Sequence, residues 1–254
     1  MEAIFSHLTL NWSPMILLLL GVSAFAGGVM RGFTGFGGGL LMMPVYAVFM
    51  PPVDAVAIVA ILNLIATIQM LPSVLHLVRW GRLLALGLPT VIFIPLGTMI
   101  LTSVDPEAMR TVIAIIVIVI SLILLKGWKY HGKRGFFQDL AVGISGGILT
   151  GSVGMGGPPI ILYLLSSTNH PKENRATFAL MFGLSLLASL GSLFFHDMLT
   201  TQHVISTAWL FPIYFIATWI GVRCYVQVTG KREHLLRYAS LVLLLVIGVG
   251  TLFT

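Results

Sequence analysis

The stretch GGVMRGFTGFGG (27–38) returns 119 residues later, without a gap, as GGILTGSVGMGG (146–157). Gly27, Gly28, Gly32, Gly35, Gly37 and Gly38 fall on Gly146, Gly147, Gly151, Gly154, Gly156 and Gly157. The register runs on through Pro52 with Pro171, Asp54 with Glu173, Ala57 with Ala176 and Ala60 with Ala179. Six coincident glycines in twelve columns mark an internal repeat. Long apolar runs surround both copies, so the repeating unit is a set of membrane segments.

Composition supports this. Of 254 residues, 57% are hydrophobic and 9% charged, whereas a soluble domain carries about a quarter charged residues. The expected fold is an all-α polytopic membrane protein. Apolar runs bounded by charge, Pro or Gly give ten segments, near 12–30, 35–50, 54–75, 83–102, 108–126, 138–152, 157–168, 174–196, 203–223 and 234–253. Crossing a hydrocarbon core of about 30 Å takes roughly 20 helical residues; segments two, six and seven are short. The offset pairs segment one with six and so on to five with ten. The expectation is one transporter domain over 1–254, with repeats of about 12–126 and 138–253. Five segments per unit is an odd number, so the second unit is inserted upside down relative to the first.

The basic residues orient this scheme. If all ten segments cross from an outside N-terminus, the cytoplasmic side receives thirteen of the fourteen Lys and Arg and the outside only Arg110. If segments two and seven dip in and return, the count is eight against six, so the positive-inside rule selects ten crossings with both termini outside the cytoplasm. A shallow hairpin of segments one and two has the same parity and would put the glycine bend and Arg31 at membrane depth. Ala24-Phe25-Ala26 resembles a signal-peptidase site, but the start MEAIFSHLTLNW lacks a basic n-region, and a retained segment is expected.

Inverted repeats interrupted by Gly or Pro at corresponding positions characterise alternating-access carriers, whose site lies between the repeats near the midplane. The competing reading of the glycines is close helix packing, for which Gly28 with Gly32 and Gly147 with Gly151 have the right spacing. A helix break in the hydrocarbon region must be buried in protein or line a wet cavity. It frees N–H groups at the start of the following half-helix, which form an anion site without a charged side chain. Segments two and seven both begin at such breaks, at Gly35, Gly37, Gly38 and Gly39 and at Gly154, Gly156 and Gly157, with Pro158 and Pro159 fixing the second helix start.

Side chains available to that site are Thr34 and Ser152 in the bends, Arg31 before the first, and Asn63 and Thr67 in segment three. Arg31 reads either as a substrate cation or as an interfacial arginine snorkelling to the cytoplasm. Asn63 reads either as a substrate contact or as a helix–helix hydrogen bond. Phe36 and Met155 occupy equivalent positions and read as apolar gates or as core.

RGFTGFGGGLLMMP (31–44), GILTGSVGMGGPPIILYLL (147–165), the ten-segment layout and the overall size resemble the sulfite exporter TauE/SafE family of bacterial-type membrane permeases. The resemblance spans essentially the whole chain. It implies an exporter or permease of sulfite, sulfoacetate or a related sulfur-containing anion in the cell (inner) membrane.

Other classes are excluded. All eight acids fall at segment ends or in loops, which argues against a buried carboxylate relay. His76 and His196, at the ends of segments three and eight, read as interfacial or as titrating groups. Cys224 alone supplies no disulfide or metal site. The net charge of +6 is spread over short loops with no nucleic-acid patch. The Gly127 to Lys133 loop imitates a phosphate-binding motif, but Arg134 stands where Ser or Thr is needed. No enzyme, metal or cofactor is expected, and the partners are a small anion and the lipid bilayer, with no oligomeric state indicated. Flux that does not saturate would identify a channel, and absence of flux a membrane scaffold subunit.

Overall fold

A computed structural model describes residues 13–126, 132, 135–165 and 171–227. The described residues form helices α1 (Pro14–Thr34), α2 (Gly38–Phe49), α3 (Pro52–Val74), α4 (Trp80–Ser103), α5 (Pro106–Leu125), α6 (Phe136–Val153), α7 (Gly157–Leu165), α8 (Pro171–Phe195) and α9 (Thr201–Gln227), with a short 3₁₀ turn at Leu75–Leu77. They follow the first nine expected segments in order; the tenth, 234–253, lies outside the described residues, as do both termini. Six helices, α1, α3, α4, α5, α8 and α9, are long and apolar enough to cross a membrane. At 12 and 9 residues, α2 and α7 span about 18 and 14 Å, half a hydrocarbon core.

Local chemistry sets the helix ends. Ser13 caps α1 by accepting the Ile16 N–H at 3.4 Å, with Pro14 in the first turn. Asp105 Oδ2 caps α5 by accepting the amides of Glu107 and Ala108 at 2.9 and 3.2 Å. α1 stops at Gly35 (φ 83°), whose N–H bonds to Arg31 O at 2.8 Å, and α6 stops at Gly154 (φ 67°). Left-handed conformations of this kind cost a side chain about 1–2 kcal/mol, which glycine avoids.

Two glycine crossings organise the bundle. α1 lies on α9, where a Cβ on Gly28 would stand 2.7 Å from Ala217 Cβ, and one on Gly32 would overlap the Thr218 carbonyl and stand 3.0 Å from Gly221 Cα. α6 lies on α4 in the same manner: Gly147 meets Thr90 and Phe93, and Gly151 meets Ile94 and Gly97. Such approaches are open only to residues without a side chain, and they maximise dispersion contact between backbones. Gly28, Gly32, Gly147 and Gly151 therefore serve helix packing.

The partners correspond residue by residue. Thr90 matches Tyr214, Ile94 matches Thr218 and Gly97 matches Gly221, a constant spacing of 124. The ungapped spacing of 119 that relates α1 to α6 thus lengthens by five residues before α9. Around these crossings α3 packs on α8, α4 on α8 and α9 on α3, while α2 lies on α1 and α3. The core gathers Leu41, Met42, Met43, Tyr46, Ile58 and Leu62 from α2 and α3. Outward faces such as Leu84, Leu88 and Ile92 of α4 are apolar and exposed, as a lipid-facing surface requires.

Candidate functional site

The two bends meet at the centre. A Cβ on Gly39 would stand 3.0 Å from Gly154 O, and Gly154 in turn packs on Met43. Beside this contact is a small, partly open cavity. It is lined by Arg31, Phe36, Gly37, Gly39, Asn63, Gly154, Met155, Gly157 and Pro158 of the expected residues, joined by Leu40, Ile161, Phe182 and Leu186.

The remaining expected residues stand behind this wall. Gly35 forms the left-handed end of α1. Thr34 braces the bend: its Oγ1 lies 2.8 Å from Met30 O and 2.6 Å from Phe36 O, and accepts the Phe36 N–H at 3.2 Å. Gly38 packs where a Cβ would meet Tyr214 OH at 2.5 Å and Asn63 Oδ1 at 2.6 Å. Ser152 turns back on its own helix, donating to Ile148 O at 2.7 Å. Gly156 packs against Thr150 and the Gly146 carbonyl.

Arg31 is 1% exposed. Its Nη1 donates to Gly35 O and its Nη2 to Thr67 Oγ1, both at 2.7 Å, while Nε is buried with no partner. The guanidinium also faces the Phe182 ring, 5.1 Å from its centroid, a favourable cation–π placement. No carboxylate lines the cavity. The two ion pairs of the described residues lie elsewhere, Arg79 with Glu173 and His203 with Asp54. The snorkelling reading of Arg31 does not hold, because this side chain turns into the protein rather than toward an interface.

Thr67 is held in turn by donating to Asn63 O at 2.9 Å. Asn63 bridges helices and lines the cavity at once: Nδ2 donates to Val59 O at 2.8 Å and Oδ1 accepts from Tyr214 OH at 2.9 Å. Phe36 stacks at a tilt on Phe178, 6.1 Å between centroids, and is 8% exposed.

The two half-helix starts differ in what they offer. In α2 the first amide to bond back is Leu41, to Gly37 O at 3.3 Å, so those of Gly38, Gly39 and Leu40 have no intrahelical acceptor. In α7 the positions matching Gly39 and Leu40 are Pro158 and Pro159, which have no N–H to donate. Arg31 likewise matches Thr150, whose hydroxyl is spent on Gly146 O at 2.7 Å. The donors, neutral and cationic, are thus concentrated at the first bend.

The model of the Sulfite exporter TauE/SafE family matches residues 19–251. The chain belongs to the TauE/SafE family. It is accordingly a multi-pass membrane transporter of the exporter type, not an enzyme. This TauE/SafE chain is also 26% identical over 222 residues to the probable sulfite/organosulfonate exporter TauE of Cupriavidus necator, covering 83% of this chain and 86% of that one.

Two features of this TauE/SafE protein are not apparent from its sequence patterns. Arg175 Nη2 donates to Gly32 O at 2.6 Å, capping the C-terminal end of α1, and its guanidinium stacks 4.2 Å above the Tyr225 ring. In the sequence it counts only as one more loop charge on the side expected to be cytoplasmic; the available signal is that its counterpart at position 56 is the apolar Val56. His203, 5% exposed, places Nε2 2.9 Å from Asp54 Oδ1. The histidines singled out by position are less engaged: His76 is exposed on the 3₁₀ turn and His196 Nδ1 lies 2.8 Å from Ser192 O.

Proposed function

We propose that this protein is an alternating-access carrier that exports a small sulfur-containing anion, such as sulfite or an organosulfonate, across the cell inner membrane. The anion sits at the first glycine bend, against Arg31 and the amides that open α2. The observation that carries this reading is a guanidinium 1% exposed, with an unpartnered Nε, lining a cavity without a carboxylate. An uncompensated buried cation costs several kcal/mol, and an anion in the cavity offsets that cost. The name of the Cupriavidus necator relative agrees with the class of substrate.

Alternating access rests on the two halves being inverted repeats. Matching glycine crossings support this, and so do the ion pairs: Asp54 matches Glu173 at a spacing of 119, and Arg79 matches His203 at 124, so Asp54–His203 and Glu173–Arg79 are counterparts. In the ten-crossing topology, with both termini outside the cytoplasm, these pairs fall on opposite membrane faces. They tie the same helix pairs, α3 to α9 and α8 to α4, at the two ends of the route. An inside-negative potential drives a monoanion outward by about 2.3 kcal/mol per 100 mV, so export needs no carboxylate relay.

Purified protein in liposomes tests the reading. Saturable sulfite or alkanesulfonate flux is expected, lost in Arg31→Gln while the protein still elutes as a folded species in detergent. Flux indifferent to Arg31→Gln overturns the site, non-saturating flux identifies a channel, and no flux of any anion indicates a scaffold.

A further inference from the structure

The pairs that join α8 to α4 and α3 to α9 are equivalent in position and unequal in chemistry. Glu173 meets Arg79, whose guanidinium is a group that proteins do not deprotonate. Asp54 meets His203, and imidazoles as a class gain or lose a proton around neutral pH. The ring is 5% exposed, but the Asp54 side chain is 34% exposed and connects it to water. α9 packs on α1 and α3. From α3 the charged group facing the ring is Asp54. α1 has no ionisable residue between Pro14 and Met30, and Asp197 in the turn before α9 is exposed to solvent.

The surroundings of the ring suit two protonation states. When neutral, it donates from Nε2 to Asp54 Oδ1 at 2.9 Å and accepts the Thr200 N–H on Nδ1 at 3.1 Å, closing the start of α9 in the manner of a capping box. Thr200 Oγ1 stands 3.2 Å from the same Nδ1, and a hydroxyl accepts as readily as it donates. A proton added at Nδ1 therefore meets an acceptor already in place. The displaced Thr200 N–H passes to water, because Thr200 is exposed. The same step converts a neutral donor to the Asp54 carboxylate into a charged one, which strengthens the contact.

We infer that His203, with Asp54 and Thr200, is a proton-binding site that fastens α3 to α9 when the outside is acidic and releases them when it is alkaline. Opening that end of the route parts α3 from α9, so outside acidity slows export. None of the three residues lines the anion cavity. The inference rests on the alternating-access reading and the orientation given above, and adds the proton as a regulating ligand of the outer end.

Two measurements on the full-length protein test this, each in wild type, His203→Gln and His203→Arg checked for folded elution in detergent. The first needs no substrate. Spin labels are placed at the exposed positions of Pro51→Cys and Thr201→Cys, with the single native cysteine removed as Cys224→Ser, and their separation is measured in lipid nanodiscs. From about pH 5.5 to about pH 8 the longer-distance population should grow about two- to fivefold in wild type, the range a partly exposed ion pair supplies. It should be independent of pH in His203→Gln and low at both pH values in His203→Arg. The second is efflux of ethanesulfonate, a monoanion throughout this range, from right-side-out membrane vesicles at fixed internal pH and potential. Wild-type efflux should fall by the same factor as the outside is acidified, and His203→Gln efflux should not.

A pH response retained in folded His203→Gln, absent from wild type or opposite in sign overturns the inference. A His203-dependent response to internal instead of external pH overturns its placement at the outer end. A His203-dependent change in label separation without flux of any anion overturns the carrier reading and leaves the proton site standing.

Discussion

His203 Nε2 on α9 lies 2.9 Å from Asp54 Oδ1 in the first turn of α3, at the two positions that match Arg79 and Glu173. The Thr200 N–H donates to His203 Nδ1 at 3.1 Å, so the neutral ring carries its proton on Nε2 and donates it to the carboxylate. A hydrogen bond to a carboxylate contributes about 1.5–3 kcal/mol when shielded. Asp54 is about one-third exposed (34%), which lowers this to about 1 kcal/mol. His203→Ala is expected to cost that much, and its coupling with Asp54→Asn in a double-mutant cycle of detergent unfolding should be at least about 0.5 kcal/mol. Strictly additive losses would show that the contact is not made. The Arg79–Glu173 pair, with Arg79 44% exposed, should couple by less.

The glycine crossings predict a sharp contrast. Gly32→Ala and Gly151→Ala each force a methyl group into a carbonyl on the facing helix, and either change should destabilise the bundle by about 2 kcal/mol or more. At Gly81 nothing lies within 4 Å of an added Cβ, so Gly81→Ala should be neutral or stabilise α4 by up to about 1 kcal/mol. Thermal aggregation midpoints of the three detergent-solubilised variants provide the check. Equal midpoints would contradict the close approach of α1 to α9 and of α6 to α4.

Thr67 holds Arg31 from α3 by accepting Nη2 at 2.7 Å. Thr67→Val keeps the shape but leaves a second guanidinium donor without an acceptor, a loss of about 1–2 kcal/mol. The KM for the transported anion is expected to rise five- to twentyfold, with Thr67→Ser close to wild type. Wild-type KM in both variants would mean that Arg31 does not need this anchor.

Gly37 opens α2 in the left-handed region at φ 89°, facing the flexible end of Met30. Strain there costs a side chain about 1–2 kcal/mol, while the Met30 thioether can move aside. Gly37→Ala should therefore yield folded protein with reduced anion flux. Gly156→Ala, whose methyl meets the Gly146 carbonyl and Thr150, should reduce the yield of folded protein itself. Flux and folded yield, measured side by side, separate the two effects; the same phenotype in both would overturn the division.

Much of this arrangement is legible before any coordinates. The helix breaks at Gly35 and Gly154 are read directly from the chain, because left-handed glycines act within one turn; the caps at Ser13 and Asp105 emerge only with the structure. The expected site residues divide on a criterion that a linear pattern does not contain. Thr34 and Ser152 spend their hydroxyls on nearby carbonyls, while Phe182 and Leu186, far along the chain and unremarkable in a hydrophobic helix, reach the cavity. The 119-residue register likewise holds from α1 to α6 but becomes 124 from α4 to α9, a shift seen only when contacting glycines are compared across helices.

By itself the sequence determined the membrane class, the order of the helices, the broken starts of α2 and α7 and the donor-poor character of Pro158-Pro159, since hydropathy, glycine conformation and the missing proline N–H are local properties. Tertiary structure alone decided that Arg31 turns inward to Gly35 O and Thr67, that Asn63 joins α3 to α9 through Tyr214, and that His203 finds Asp54. Whether a polar side chain serves a ligand, a neighbouring helix or its own backbone depends on which partner is nearest once the helices pack, and that distance is not encoded at any single position.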